Sequence, residues 1–530
     1  MRPRLLLKTT RLALLALATM NVSSAQGKNS NSQHAPGIAS ISICSPTGTG
    51  DQGFCPSGTF DTQQSVLGPG GVPVNSISSG LGVGAAPDEH STVFSPGTLG
   101  PNQDYLFFLA SGEGGHAFIG VSVLSGGSGP DENGQWTLDF SYNDGYGSYP
   151  GGFGPVFNPS TRGDFCPIVK DHIAAHQDQT FDMHYAASGS VVIDPTGAPG
   201  SLLMVYEGTN ACIGNPGGPI FGNNDDYLSL AIATSLDYGK KWPTYRGTPD
   251  FDFVQMPDVN KTEAPNAPIG ALGADVCMGN DCTTTPPASY GRYPVVTPPT
   301  SLASLMEAGQ PLNSKFGEQE ISGFVDDVGG NPNPYLYINS GDVRVARAQL
   351  NGGTAPLSFL KWDGASFASV GLGGVEVSVL PAAAFENCGA PAQSQFGSSI
   401  SYVDSTQQYL LTFVCVSPGD PALGQIPGSH FGAAWFYSTS YDLSDQSQWS
   451  APREVEGSWN FFDPTGGCAD YNGWYPTFVS LDKNPGHLSM NGYVFYLSGC
   501  QGGATPGATP PARQFSSRAF RITREVPPGQ

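Results

Sequence analysis

A two-strand signature recurs five times along this chain of 530 residues, and it restricts the fold more than any other feature. Each unit opens with a strand led by polar residues. It continues with a strand of alternating aromatic and aliphatic residues, the period of a β-strand rather than a helix. The second strands are Tyr105-Leu-Phe-Phe-Leu-Ala-Ser, Leu202-Leu-Met-Val-Tyr-Glu, Pro334-Tyr-Leu-Tyr-Ile-Asn, Gln408-Tyr-Leu-Leu-Thr-Phe and Gly492-Tyr-Val-Phe-Tyr-Leu. Leading strands are predicted near 88–94, 182–194, 317–326, 396–403 and 474–481. Outer strands follow at Leu228–Ala233, Val343–Ala348 and Ala433–Ser438, and Arg518–Ile522 closes the last unit.

Composition points the same way. The chain holds 71 Gly and 46 Pro, and only 13 of its 44 acids are Glu, so turn formers abound where helix formers are scarce. A hydrophobic content of 39% is too rich for a disordered chain. Repeated four-stranded units in a helix-poor chain predict an all-β protein, a β-propeller of five four-stranded blades with long loop insertions. The competing architecture is a pair of β-sandwich domains. Residues 81–530 are read as one propeller domain with an insertion at 244–300, and residues 26–80 as a flexible, disordered N-terminal arm.

Lys and Arg number 22 against 44 Asp and Glu, a net charge of −22 that disfavours nucleic acid and anionic lipid as partners. Residues 1–25 read as a signal peptide: Arg2, Arg4, Lys8 and Arg11 precede the apolar Leu12–Met20 and a small-residue cleavage site, Ser23-Ser24-Ala25. Its removal leaves 18 basic and 44 acidic residues, a charge of −26. No later span is visible, so a secreted, monomeric product is expected, extracellular or periplasmic. Ten cysteines suit that compartment. Nearest-neighbour pairing closes the shortest loops and gives Cys44/Cys55, Cys166/Cys212, Cys277/Cys282, Cys388/Cys415 and Cys468/Cys500.

Two short motifs connect this pattern to known proteins. Ser235-Leu-Asp237-Tyr-Gly239-Lys-Lys-Trp242 resembles the Asp-box of sialidase-type propellers, a turn closed by Asp and Gly over a packed Trp. Ser440-Tyr-Asp442-Leu443 with Gln448-Trp449-Ser-Ala-Pro stands in the equivalent place two units later and is similar to the hairpin of five-bladed glycoside hydrolases of the arabinanase/β-xylosidase type. Val343-Arg-Val-Ala-Arg-Ala-Gln-Leu with Lys361-Trp-Asp-Gly364 resembles a blade of that superfamily. Both Asp237 and Asp442 are read as turn residues.

The resemblance implies a site at the channel mouth, where leading strands begin. There a carboxylic acid protonates the leaving oxygen and a carboxylate activates water or attacks. It implies Asp88 as base, Asp182 as the orienting acid and Glu320 as the proton donor, with Glu89 and Glu318 as close rivals. His90, His184, Trp474 and Tyr475 are candidates for binding sugar. No cofactor is required. Asp-rich loops such as Asn223-Asn-Asp225-Asp226 and Asp326-Asp327 leave Ca²⁺ open. The polar run Asp171-His172 to His176-Gln-Asp178 reads as a loop lining the cleft, and Tyr142, Tyr146 and Tyr149 as an aromatic overhang. Two other functions compete with hydrolysis of a polysaccharide or oligosaccharide: a non-catalytic carbohydrate-binding propeller, and a sialidase-like enzyme. The latter would need an Arg cluster, and only Arg292, Arg344 and Arg347 lie near the middle units.

Overall fold

The structure is a computed structural model. It describes residues 35–44, 64–66, 77–78, 84–95, 97–98, 105–113, 119–128, 136–139, 185–210, 227–236, 238, 292–297, 316–317, 321–353, 357–381, 397–418, 430–458, 473–498 and 514–526. Residues 1–25, most of residues 244–300 and residues 500–513 lie outside them.

Among the described residues all regular structure is β, apart from two single 3-10 turns, Gly341–Val343 and Gln446–Gln448. The chain begins with β1 (Ile38–Ile43) and β2 (Gln64–Ser65). The first sheet is β3 (Ile77–Ser78), β4 (Gly84–Phe94), β5 (Tyr105–Glu113), β6 (Ile119–Ser128) and β7 (Thr137–Asp139) in sequence order. The second is β8 (Tyr185–Ile193), β9 (Leu202–Asn210), β10 (Tyr227–Ser235) and β11 (Arg292–Val296), with β12 (Phe316–Gly317) on β10. The third is β13 (Ser322–Asp326), β14 (Tyr335–Ser340), β15 (Arg344–Gln349), β16 (Leu360–Trp362) and β17 (Phe367–Val370). The fourth runs β18 (Ser399–Val403), β19 (Gln408–Pro418), β20 (His430–Ser440) and β21 (Arg453–Glu454). β22 (Trp474–Val479) starts the fifth sheet, but β23 (His487–Leu488) crosses to lie parallel beside β18. The fifth sheet then continues through β24 (Asn491–Ser498) and β25 (Gln514–Arg524), and β1 returns from the N-terminus as its outermost strand.

The arm expected to be disordered is therefore corrected at Ile38–Ile43. Ile38, Ile41 and Ile43 are buried, and Ile41 pairs with Ile522 and Ile43 with Phe520. Burial of three Ile side chains, at about 1.5–3 kcal/mol each, acts together with the pairing along β25 to hold this six-residue strand on the last sheet. The insertion is likewise corrected at its end, where Arg292–Val296 forms the fourth strand of the second sheet.

Core clusters fall between neighbouring sheets. Leu203, Val205 and Ile232 of the second sheet pack on Ile321, Leu336 and Ile338 of the third. Phe324, Tyr337 and Trp362 of the third meet Tyr402, Leu411 and Phe413 of the fourth. Trp435 and Tyr437 of the fourth meet Phe478, Val494 and Phe520 of the fifth. Tyr493 and Phe495 of the fifth enclose Val93 and the fully buried Trp136 of the first. β8 of the second sheet lies against β4, β5 and β6 of the first, so the sheets follow one another round a cycle, the arrangement of a propeller. Two separate sandwiches would not close this cycle.

Candidate active site at the channel mouth

Five strands lead their sheets along the axis: β4, β8, β13, β18 and β22. Their contacts close a ring. Val191 N donates to Thr92 Oγ1 at 2.9 Å, joining β8 to β4. Gly189 of β8 lies so close to the Ile321 carbonyl, just before β13, that a Cβ there would sit 2.1 Å from its oxygen. Ser322 Oγ lies 2.6 Å from the Ser398 carbonyl, linking β13 to the start of β18. Ser399 Oγ reaches the Pro476 carbonyl of β22 at 3.4 Å. His90 Nδ1 lies 3.3 Å from Thr477 Oγ1, returning to β4. Small and hydroxylic residues permit this approach where aliphatic ones would hold the strands apart.

Three of the five strands are bulged near this ring. The register of β4 shifts between Asp88 and Thr92, that of β8 between Ser188 and Val191, and that of β22 between Trp474 and Thr477. A bulge leaves residues unpaired, bends the strand and re-aims side chains, which is why bulges concentrate beside functional sites. Asp88 is the last paired residue before the first bulge, opposite Ala110 of β5. It therefore stands on β4 on the mouth side of the ring. Glu89 follows within the bulge. Asp182, His184, Glu318 and Glu320 lie outside the described residues.

The remaining candidates occupy the wall. His90 and Tyr475 were expected to meet sugar, but His90 is only 1% and Tyr475 only 5% exposed, so both support the mouth from inside. The rings meet edge-on at 5.7 Å. Burial drives the His90 imidazole down to a pKa of about 3, against a small opposing pull from the Ser398 backbone. It is neutral, and its Nε2 lies against the Gly397–Ser398 backbone without a hydrogen bond of ordinary geometry. Tyr475 has a φ of 54°, a left-handed conformation that costs a non-glycine residue of order 1–3 kcal/mol. Gly397 opposite it, at φ 79°, admits this backbone, since a Cβ there would come within 2.8 Å of Tyr475 Cα. Trp474, half-buried at the very start of β22, keeps surface for stacking.

One carboxylate went unnoticed in the sequence. Glu207 on β9 is buried and sits opposite Ala187 of β8, toward the mouth. By strand alternation it shares a face with Leu203 and Val205, which pack on the third sheet. Its signal was an acid in the buried phase of an apolar strand.

Other readings can now be placed. Ser440 Oγ accepts from Asp442 N at 3.1 Å and Asp442 accepts from Ser444 N at 2.7 Å, so Asp442 closes a turn. Asp237 lies outside the described residues, as do Asp225, Asp226, the Asp171–Asp178 run and Tyr142, Tyr146 and Tyr149. Asp326 takes the Tyr409 hydroxyl at 2.7 Å and Asp327 takes His487 at 3.0 Å. No group of three or more His, Cys, Asp or Glu among the described residues is placed to hold a metal ion. Arg344 pairs with Glu376 at 3.1 Å, and Arg347 stacks on Phe367 at 4.2 Å and Tyr335 at 4.6 Å. Both are engaged on or beside the third sheet. Cys44 and Cys415 are disulfide-bonded. No helix among the described residues is long and apolar enough to cross a membrane.

No protein-family model matches the chain, and no curated protein matches it. Among solved structures it is similar to an α-L-arabinofuranosidase from Podospora anserina in complex with cellotriose, at 10% identity and a TM-score of 0.35, covering 87% of this chain and 98% of that one. It is similar to the endo-1,5-α-L-arabinanase of Thermotoga petrophila at 12% identity and a TM-score of 0.31, covering 80% of this chain and 72% of that one. It is also similar to the Bacillus subtilis arabinanase at 11% identity and a TM-score of 0.30, covering 83% and 96%. These three structures are an α-L-arabinofuranosidase and two arabinanases.

Proposed function

We propose that this chain is a secreted glycoside hydrolase built on a five-bladed propeller, cleaving a polysaccharide or oligosaccharide at the mouth of its channel. In this reading the five sheets are the blades and residues 1–25 direct export. Asp88 is the base, Asp182 orients, Glu320 donates the proton, and Trp474 stacks on a sugar ring. The observation that supports it is the bulge in β4 directly after Asp88, flanked around the ring by bulges in β8 and β22. Those are the distortions expected where side chains are turned toward a substrate. Catalysis by two carboxyl groups needs them about 5–9.5 Å apart across one glycosidic bond.

The test is reducing-sugar release by the purified protein across plant, microbial and host glycans, with Asp88→Asn and Glu320→Gln in parallel. Wild-type release is expected, with either variant reduced about 10²–10⁴-fold and still folded. Equal release by wild type and Glu320→Gln would move the proton donor elsewhere, first to Glu318. Silence of the folded wild type across the whole panel would replace hydrolysis with glycan binding.

A further inference from the structure

At the opposite end of the axis, a short segment crosses the channel. The connection from β22 to β24 leaves the fifth sheet and carries β23 to the axial side of β18, in the fourth sheet. Tyr402 N donates to Gly486 O at 2.7 Å and Asp404 N to Leu488 O at 3.1 Å. Gly486, at φ 84°, lies flat on Phe324 of the third sheet, where a Cβ would meet the ring at 2.8 Å. Ser95, directly after β4 of the first sheet, donates its hydroxyl to the Lys483 carbonyl at 3.0 Å. One connection thus touches the first, third and fourth sheets while belonging to the fifth.

His487 is its fastening. Nε2 lies 3.0 Å from Asp327 Oδ1, after β13, and Nδ1 lies 3.1 Å from Asp404 Oδ1, after β18. A neutral imidazole has one N–H and one lone pair, so it can serve only one of two carboxylates and repels the other. Serving both requires two N–H groups, which only the imidazolium has. We propose that this connection is a proton-operated latch, in which protonated His487 ties three sheets together and closes the far end of the channel. The proposal does not depend on the mouth being catalytic.

The surroundings favour the charged form. Burial alone would lower the His487 pKa, but Asp327 and Asp404 outweigh it and raise it above 6.5. Lys483, on the same connection, bonds the second oxygen of Asp404 at 2.7 Å and competes for its charge without displacing His487. From β18 Tyr402 offers only its ring, and Asp326 at the end of β13 is engaged by Tyr409 of β19. A histidine with a raised folded pKa contributes stability fully below its unfolded value near 6.5, and that contribution is lost as pH rises through the folded value. The latch therefore holds in mild acid and loosens in mild alkali.

Hydrogen exchange at the Tyr402 and Asp404 amides, corrected for intrinsic rates, reads the latch directly. Protection in the wild type should fall tenfold or more between about pH 5.5 and 8.5, while His487→Gln should be low and flat. The Val455 amide, bonded to Trp435 O, serves as a reference that should not change. Equal wild-type protection at both pH values, or the same step in the variant, would overturn the proposal. Should the variant fail to fold, titration of the wild-type His487 ring by NMR decides: a midpoint above 6.5 is expected, and one at or below 6.5 refutes the latch.

Discussion

The five axial strands divide into two kinds. β13 and β18 are regular, and hydrogen bonds join them: Ser322 Oγ to Asn339 Oδ1 at 2.7 Å, Asn339 Nδ2 to Ser398 Oγ at 2.6 Å, and Ser398 Oγ to Ser340 O at 3.0 Å. β4, β8 and β22 are bulged, and besides single hydrogen bonds from Val191 N to Thr92 Oγ1 and between His90 and Thr477, shape holds them: a glycine against a carbonyl, a left-handed tyrosine against a second glycine, a buried neutral histidine. A hydrogen-bonded junction tolerates small adjustments because hydroxyls rotate. A junction built on missing side chains does not. The bulged half is therefore expected to be the fragile half.

Gly189→Ala probes that difference most severely. Its Cβ would lie 2.1 Å from the Ile321 oxygen and 2.7 Å from its carbonyl carbon, both backbone atoms that cannot step aside. Separating β8 from β13 would open the interface of the second and third sheets. A loss of more than about 3 kcal/mol, or failure to fold, is expected in urea denaturation. Gly329→Ala is the control: at φ 72° with open space around it, it should cost only the left-handed penalty of about 1 kcal/mol. Equal costs for the two would show that close approach does not hold the bulged half.

His90 gives the second comparison, with a sign opposite to that of His487. Its folded pKa lies near 3, below the unfolded 6.5, so between those values the unfolded chain binds a proton that the folded one refuses. Stability must then fall as pH drops below 6.5, by about 1.4 kcal/mol per pH unit. Wild type should lose about 2–3 kcal/mol more than His90→Gln between pH 6.5 and 4.5. His487 is present in both proteins, so its contribution cancels from the difference. Parallel pH profiles would mean that His90 is hydrated in solution.

How far this was legible in the sequence follows from the same physics. The pairing of a polar-led strand with a following strand of aromatic and aliphatic residues located all five leading and second strands, because such patterning is a local property: Gln408-Tyr-Leu-Leu-Thr-Phe opens β19 at the residue where the pattern begins. β1 escaped because its Ile38-Ala-Ser-Ile-Ser-Ile pattern is embedded in Ser- and Gly-rich chain, and the partner that buries it lies more than 470 residues away. β23 has two residues and no pattern at all. The bulges are shifts of register between strands, which no single strand encodes. The sequence puts Asp88 on the first leading strand, but that the strand begins four residues earlier at Gly84, and that His90 turns into the wall, could not be read from it. Glu207 was visible as a residue yet not as buried, since burial of its face depends on the third sheet.

Asn339→Ala tests the regular half and should have the smallest effect of these substitutions. The amide bridges β14 to Ser398, so its loss removes two hydrogen bonds at the junction of the third and fourth sheets. Neither neighbour is orphaned. Ser322 Oγ still has the Ser398 carbonyl at 2.6 Å, and Ser398 Oγ still has the Ser340 carbonyl at 3.0 Å. The penalty is then that of ordinary hydrogen bonds, about 1–2 kcal/mol in total, rather than that of stranded buried donors. Asn339→Asp would be worse than the alanine, because it would bury a charge among hydroxyls that already have partners. The expected order in urea midpoint is wild type, then Asn339→Ala, then Asn339→Asp, then Gly189→Ala. Should Asn339→Ala unfold as readily as Gly189→Ala, the two halves would be equally brittle, and the bulges would mark no special region of the ring.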